Sequence, residues 1–451
     1  MRTGHIKSKS FAHVGLRFDA SYHMSEGVES RRIVESSPYG CYRTQDVAED
    51  IFIGPRARRY YVSNPANGIP FLSSSDILLA DLENIKLASK KYMPANEMML
   101  EKGWTLITRS GTIGNCAFAN AKHAQKLASE HVIRLKPNNM LRAGAIFAFF
   151  ASRYGHSLLT QGTFGGVIQH IEPPFVGSLP IPKFPEEFQK EVDELVQESA
   201  RLREEATDAL NQAVTHFNEF FVHRQLKPKN IDYISIEEIR SKYFRLDSQF
   251  QIGKKYHQPS KNGIPTISLN EIASAIFITG RGKRNYVDLN GVPFISSSDM
   301  LLANPVKYAK QISKNTKGIE NLIISEGDIL VSRSGSVGNL AFIGKELSGI
   351  TASDHAMRLR INKDKMAPEY VFAYLNSQNG KEAIAYLPYG SVIITLGEEY
   401  LGDVLLPLLS KEQMEDIVSL VKTYADCTDK AIRAENKAIT MVEEEIDKWK
   451  K

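Results

Sequence analysis

Arginine, serine and glycine occur twice in the order Arg-Ser-Gly-x-x-Gly-Asn, at 109–115 and again at 333–339. Glycines permit a tight turn, an arginine at its mouth can pair with phosphate or fork onto guanine, and asparagine can read adenine. Arg109, Asn115, Arg333 and Asn339 are therefore candidate DNA contacts, while the glycines read as hairpin-turn residues. No Gly-Lys-Ser/Thr follows, so the loop is not of the Walker type. A second candidate set is Arg56, Arg58, Arg59, Tyr60 and Tyr61, answered later in the chain by Arg281, Lys283, Arg284 and Tyr286. Guanidinium groups interleaved with aromatic rings suit a phosphate backbone and base edges. The bland alternative is a solvated basic loop. Ser-Ser-Ser-Asp runs at 73–76 and 296–299 offer hydroxyls, but Ser-Asp ahead of Leu-Leu reads first as a helix cap.

Signals for catalysis are poor. The eleven histidines form no HExxH pair and no metal-ligand spacing. Cys41, Cys116 and Cys427 are scattered, which argues against a disulfide framework or a zinc site and fits a reducing cytoplasm. Glu172-Pro173-Pro174-Phe175 approaches the Asp/Asn-Pro-Pro-Tyr/Phe motif of amino-methyltransferases. Its first residue is wrong, and the other copy has Gly397-Glu398-Glu399-Tyr400. No nuclease carboxylate–lysine constellation stands out. The longest apolar run, around 145–151, is too short to span a bilayer, and the N-terminal residues have no apolar core of a secretory signal. The expectation is a cytoplasmic, non-enzymatic chain with no membrane partner, no metal and no cofactor of its own.

The candidate residues sit in a chain that repeats itself. GIPFLSSSDILL at 68–79 returns as GVPFISSSDMLL at 291–302, an offset of 223. Ile51-Phe52-Ile53 returns as Ile276-Phe277-Ile278, Ser129-Glu130-His131 as Ser353-Asp354-His355, and Arg17-Phe18-Asp19 as Arg245-Leu246-Asp247. A period near half of 451 residues is far longer than a solenoid repeat, so each copy is a domain. Strand-like runs at 105–108, 131–135, 329–332 and 356–359 and short helices at 143–152 and 368–376 predict mixed α and β domains.

Each copy then ends in a helix. Val192, Leu195, Ser199, Leu202, Ala206, Ala209, Ala213 and Phe220 keep 3–4 spacing, as do Ile417, Leu420, Tyr424, Cys427, Ala431, Ala434, Ala438 and Met441. Neither segment has an internal glycine or proline. Spacing of about 3.5 is a coiled-coil seam. If a pseudo-twofold axis relates the copies, the helices pair antiparallel; the alternative is two helices each folded on its own domain. The predicted class is α+β, with domains at 1–185 and 225–409 and helices at 186–224 and 410–451. Residues 186–224 carry net −6 and 410–451 net −2, leaving +12 elsewhere, where a polyanion would bind.

In this order of motifs the chain resembles the specificity subunit of type I DNA restriction–modification systems. The resemblance rests on the half-chain repeat and the Arg-Ser-Gly loops. Each loop is followed by Gly-x-Val-Ile (165–168, 390–393), a proline-bearing stretch (179–182, 405–407), Glu-x-Gln or Glu-Gln (187–189, 412–413) and a long helix. It implies two target-recognition domains, each reading one half of a split, asymmetric site on double-stranded DNA. The helices would be a spacer that docks two methyltransferase subunits, through Val192, Leu195, Leu202, Ile417, Leu420 and Tyr424. S-adenosylmethionine would belong to those partners, and a restriction/translocase subunit would join. The competing readings are a DNA methyltransferase, alone or fused to a nuclease, and a DNA-binding scaffold without restriction partners.

Overall fold

Strand Thr105–Thr108 is buried at every position, and its side chains part to opposite faces as the pleat requires. Ile107 enters one apolar cluster with Ile133, Leu135 and Phe147; Leu106 enters another with Trp104, Leu72 and Val132. A strand covered on both faces has no in–out polar alternation, and here Leu106-Ile107 stands between two buried threonines. The computed structural model describes residues 20–161, 163, 169–218, 233–240, 243–256 and 264–450. Arg17-Phe18-Asp19, the segment 165–168 and Phe220 lie outside them. The chain divides into a first unit of Met1–Glu204 with Lys430–Lys451, and a second of Glu205–Asp429.

In the first unit a four-stranded antiparallel sheet runs in the order Ala48–Ile53, Val132–Pro137, Thr105–Thr108, Cys116–Phe118. A second sheet has the order Tyr61–Val62, Leu87–Ser89, Gly68–Leu72, Leu127–Ala128, the last pair parallel. Cys41–Arg43 pairs with Pro180–Pro182. Helix Ala143–Ala151 is buried at eight of its nine positions, from Gly144 to Ala151, which explains its apolar sequence all round.

The second unit repeats this strand for strand. Its sheets are Ala273–Phe277, Ala356–Ile361, Ile329–Ser332, Leu340–Phe342 and Tyr286–Val287, Lys310–Ile312, Val292–Ile295, Thr351–Ala352, with Thr266–Ser268 on Leu405–Pro407. Even the irregularity is shared: the register slips between Ala48 and Asp50 and between Ala273 and Ala275. Helix Pro368–Asn376 takes the place of Ala143–Ala151.

The two long helices are Glu186–Asn218 and Lys411–Asp447. Within the first unit their segments run in opposite directions. Phe184 meets Trp449 at 6.0 Å between ring centroids, and further along the Ser199 hydroxyl donates to the Ala431 carbonyl at 2.8 Å. Arg203 pairs with the buried Glu435 at 2.6 Å. Within the second unit Ala213 and Phe217 share a core with Ile417 and Val421, and Phe217 packs on Tyr370 and Tyr374. Each helix also ties itself with one carboxylate to the turn that follows the edge strand of its unit's large sheet. Glu204 accepts from the Ala121 N–H at 2.7 Å; Asp429 accepts from the Lys345 and Glu346 N–H groups at 2.7 and 3.1 Å.

The seam residues are committed to these cores. Val192, Leu202 and Ile417 are buried, Leu195 and Leu420 are half-buried against their own clusters, and Tyr424 stacks on Phe372. Val192, Leu202 and Ile417, removed from water in the chain's own core, have no surface left to offer a partner, whereas Leu195, Leu420 and Tyr424 keep part of theirs. The polar faces of the helices remain exposed.

The C-terminal turn is held electrostatically. Asp447 accepts from Arg153 and from the Tyr154 hydroxyl and pairs with Lys450, while Glu443 accepts from the Arg153 N–H at 2.7 Å. Burial pushes the Asp447 carboxyl up, but the bonds from Arg153, Lys450 and Tyr154 outweigh it and leave it far below the usual carboxylate range. A carboxyl depressed in the folded state contributes stability above its unfolded value, and that contribution is lost as pH falls towards the folded one. Acidification below about pH 4 is therefore expected to loosen this turn and shift Trp449 fluorescence to the red. Asp447→Asn should remove that acid step; an unchanged titration in the variant would refute the assignment.

Candidate nucleic-acid interface

Both Arg-Ser-Gly loops are tight hairpins between an inner strand of the large sheet and its edge strand, Thr105–Thr108 to Cys116–Phe118 and Ile329–Ser332 to Leu340–Phe342. In the first, Thr108 and Asn115 pair through the Thr108 N–H at 2.9 Å, and the Gly114 N–H returns to the Thr108 carbonyl at 2.9 Å. In the second, Ser332 and Asn339 do the same at 2.8 Å, with Gly338 on Ser332 at 2.9 Å. Gly111 and Gly114 have φ of +79° and +84°, Gly335 and Gly338 +78° and +86°. This left-handed region is costly for any side chain, so the turn reading of the glycines holds. The Ser-Ser-Ser-Asp runs are also structural. Ser73 and Asp76 exchange bonds across one 3-10 turn, and Ser296 and Asp299 repeat them.

Each loop gathers residues from two other segments. The Ser110 hydroxyl sits 2.9 Å from His131 Nδ1, and Ser334 sits 2.7 Å from His355 Nδ1. The neighbouring acids, Glu130 and Asp354, receive the basic-aromatic stretch. Arg59 pairs with Glu130 at 2.8 Å and lies 5.3 Å over Phe71; Arg284 pairs with Asp354 at 2.5 Å and lies 4.6 Å over Phe294. Burial pushes the Glu130 carboxyl up, but its own backbone N–H, Arg59 and His131 hold it below the usual value. A serine, a histidine and a carboxylate thus lie together without forming a hydrolytic triad. His131 Nε2 stands 3.6 Å from Glu130, whose carboxylate is engaged by Arg59.

The site therefore contains cations of two kinds. Arg59 and Arg284 are committed to internal ion pairs. Arg56, Arg58 and Lys283 are exposed and have no carboxylate partner among the described residues; Arg58 lies 5.4 Å over Tyr60. Arg281 reaches Asp354 at 3.3 Å but stays exposed. Tyr60, Tyr61 and Tyr286 are exposed rings, Tyr61 5.5 Å under Lys86 and Tyr286 5.4 Å under Lys310. Asn115 is half-buried and Asn339 exposed, and their main chains close the hairpins. Unpaired cations and exposed aromatic rings on one loop system match phosphate and base contact.

Three features escaped the sequence reading. The first is Glu172, which forms an ion pair with Arg109 and lies 3.5 Å from His170 Nε2. The segment that carries it bridges the loop through Ser110 and His170; Ser334 and Thr395 make the matching bridge in the second unit. The second is a pair of buried arginines, Arg134 and Arg358, each donating only to main-chain carbonyls. Their signal was an arginine inside an apolar strand at the same place in both copies. The third is the Glu204 and Asp429 tie described above. Among the described residues no group of three or more His, Cys, Asp or Glu could hold a metal ion, and no helix is long and apolar enough to cross a membrane.

Residues 261–441 match the family described as the type I restriction modification DNA specificity domain. No curated protein sequence matches the chain. Similar solved structures include the type I restriction-modification S subunit of M. genitalium, 10% identical over 91% of this chain and 95% of that one, with a TM-score of 0.34. The HsdS subunit of Thermoanaerobacter tengcongensis is 15% identical over 92% and 98%, with a TM-score of 0.29. A third, from work on complex assembly and conformational transition of the type I R-M system, is 16% identical over 92% and 98%, with a TM-score of 0.30. TM-scores this low transfer no arrangement from those proteins to this chain.

Proposed function

We infer, from the match of residues 261–441 to the type I restriction modification DNA specificity domain and from a first unit that repeats the second unit's sheets strand for strand, that this chain is the DNA-recognition subunit of a type I restriction-modification system. It recognises DNA and leaves the chemistry to partner subunits. The observation that carries the reading is the family match at 261–441, together with the recurrence of the same loop, histidine and arginine cluster in both units.

Each unit reads one half of a bipartite site. Arg56, Arg58, Arg281 and Lys283 neutralise phosphates, and the tyrosines beside them add flat contacts. The domains take residues 1–185 and 225–409, and the long helices form an antiparallel spacer. Helices of 33 and 37 residues are about 50 and 55 Å long. Its polar faces dock two methyltransferase subunits, which bind S-adenosylmethionine, and a restriction/translocase subunit completes the complex in the cytoplasm.

A spacer of this kind is a ruler, and that can be tested. Removing one heptad from each long helix is expected to shorten the gap between half-sites and leave the half-site sequences unchanged. Methylation-sensitive sequencing of the host genome reads both quantities. Altered half-sites with an unchanged gap would reject the ruler. A genome without bipartite methylation that depends on this chain would reject the function.

A further inference from the structure

The two loops are not electrostatically equal. Arg109 is held by Glu172. Glu172 precedes the short helix Pro173–Gly177, and the residue in the same place before Glu398–Gly402 is Gly397. The main-chain contacts of the two arginines agree: the Ile171 N–H donates to the Arg109 carbonyl at 3.2 Å, and the Leu396 N–H to the Arg333 carbonyl at 2.9 Å. With no carboxylate at 397, the Arg333 guanidinium has no ion pair among the described residues. In both arginines the Nε is buried without an acceptor, so the difference lies in the carboxylate alone. Beside it, the turn closed by Tyr389 and Thr395 presents Val392, Ile393 and Ile394, which are 94%, 70% and 55% exposed. An uncommitted arginine fork flanked by exposed apolar side chains suits a guanine edge next to a thymine methyl, whereas phosphate contact needs only the charge.

We propose that positions 172 and 397 set what each loop reads: the Glu172 carboxylate withdraws Arg109 from DNA, and the glycine at 397 leaves Arg333 free to read a guanine in the second unit's half-site. This rests on the DNA-recognition reading above. It makes Arg333 a specificity residue and Arg109 largely a structural one, although both head the same Arg-Ser-Gly-x-x-Gly-Asn motif.

The position can be exchanged. Glu172 and Gly397 have nearly the same backbone, with φ/ψ of −119°/151° and −93°/151°, so a side chain is tolerated at 397. A Cβ there would meet only the carboxylate oxygens of Glu399 at 2.7 Å, the far end of a flexible side chain. The test uses the full chain in complex with its methyltransferase subunits. Its probes are a duplex carrying the site found in the host methylome, the same duplex with single base changes in each half-site, and a scrambled duplex.

Gly397→Glu is expected to weaken binding to the site duplex about fivefold to a hundredfold and to flatten its salt dependence by about one ion. It should also make the base changes in one half-site matter less, leaving the other half-site as before. Glu172→Ala should steepen the salt dependence by about one ion. Arg333→Lys distinguishes a base contact from a phosphate contact: only the former loses discrimination while affinity for the scrambled duplex is kept. Arg333→Gln provides the same half-site readout if Gly397→Glu does not fold. Unchanged half-site discrimination in both Gly397→Glu and Arg333→Gln would overturn the proposal and leave the function standing. A wild-type complex that does not tell the site duplex from the scrambled one would overturn the function instead.

Discussion

Arg358→Ala is expected to destabilise the second unit by about 4–6 kcal/mol, at the far end of what a single substitution does. The side chain is wholly buried and donates to four carbonyls: Ser353 at 2.8 Å, Ala356 at 2.7 Å, Leu322 at 3.1 Å and Ala352 at 2.6 Å. It thereby straps strand Thr351–Ala352 and the Ile319–Leu322 turn to strand Ala356–Ile361. Truncation removes every donor at once and leaves a void the size of an arginine. Arg358→Met restores the volume but not the donors, so it should fall between wild type and alanine. Burial pushes the guanidinium down to about 10, so it stays charged at neutral pH. A base with a lowered folded pKa pays for its charge at every pH below that value, so the strap adds no pH dependence between 5 and 9.

The readout is built into the sequence. The chain has two tryptophans, Trp104 and Trp449, and both lie in the first unit. Tryptophan fluorescence therefore follows that unit alone, while far-UV circular dichroism follows both. In urea, Arg358→Ala should add an early phase to the dichroism and leave the fluorescence midpoint in place. Arg134→Ala, its counterpart in the first unit, should move the fluorescence midpoint instead. Coincident, unshifted transitions in Arg358→Ala would show that the carbonyl cage carries no stability.

Trp449→Ala should cost the first unit about 3–5 kcal/mol. The indole is buried, packs on Phe184 at 6.0 Å and Tyr39 at 6.1 Å, and belongs to the core that holds Ile33, Phe147 and Val192. Trp104 remains as the reporter. Stopping the chain after residue 441 goes further, since it also removes Val442, Ile446 and the two carboxylates on Arg153. Cooperative unfolding of the first unit should then disappear, while the second unit keeps its dichroism transition. A truncated chain whose Trp104 transition is intact would mean the C-terminal turn is only an accessory.

Much of the scaffold was legible because it rests on local pattern. The long helices follow from 3–4 spacing without glycine or proline, and the hairpins from Ser-Gly between apolar runs. What each seam packs against was not legible. Periodicity shows a face but not its partner: it gave Val192 and Ile417 as seam residues, the family resemblance made them docking residues, and each fills its own unit's core. The site was half legible for a similar reason. Counting charge placed +12 outside the helices, yet two of those charges, Arg134 and Arg358, are buried inside the units, and the count could not show which arginines are held by Glu130 and Asp354. The difference between Arg109 and Arg333 depends on a carboxylate 63 residues further along the chain, too far for any spacing rule.

The first unit takes its last strip of core from residues 430–451, whereas the second is one continuous stretch, Glu205–Asp429. On the ribosome this inverts the order of completion. The unit whose synthesis starts first waits for Val442, Ile446 and Trp449, and at about 5–20 residues per second that delay is on the order of ten seconds to a minute. During it the apolar stripe around Val192, Val196 and Ala200 has no covering helix, while the second unit can already close. The nascent protein thus passes through a stage with one finished unit and one open core. That stage is where a chaperone, or a misplaced helix from a neighbouring chain, would find its opportunity.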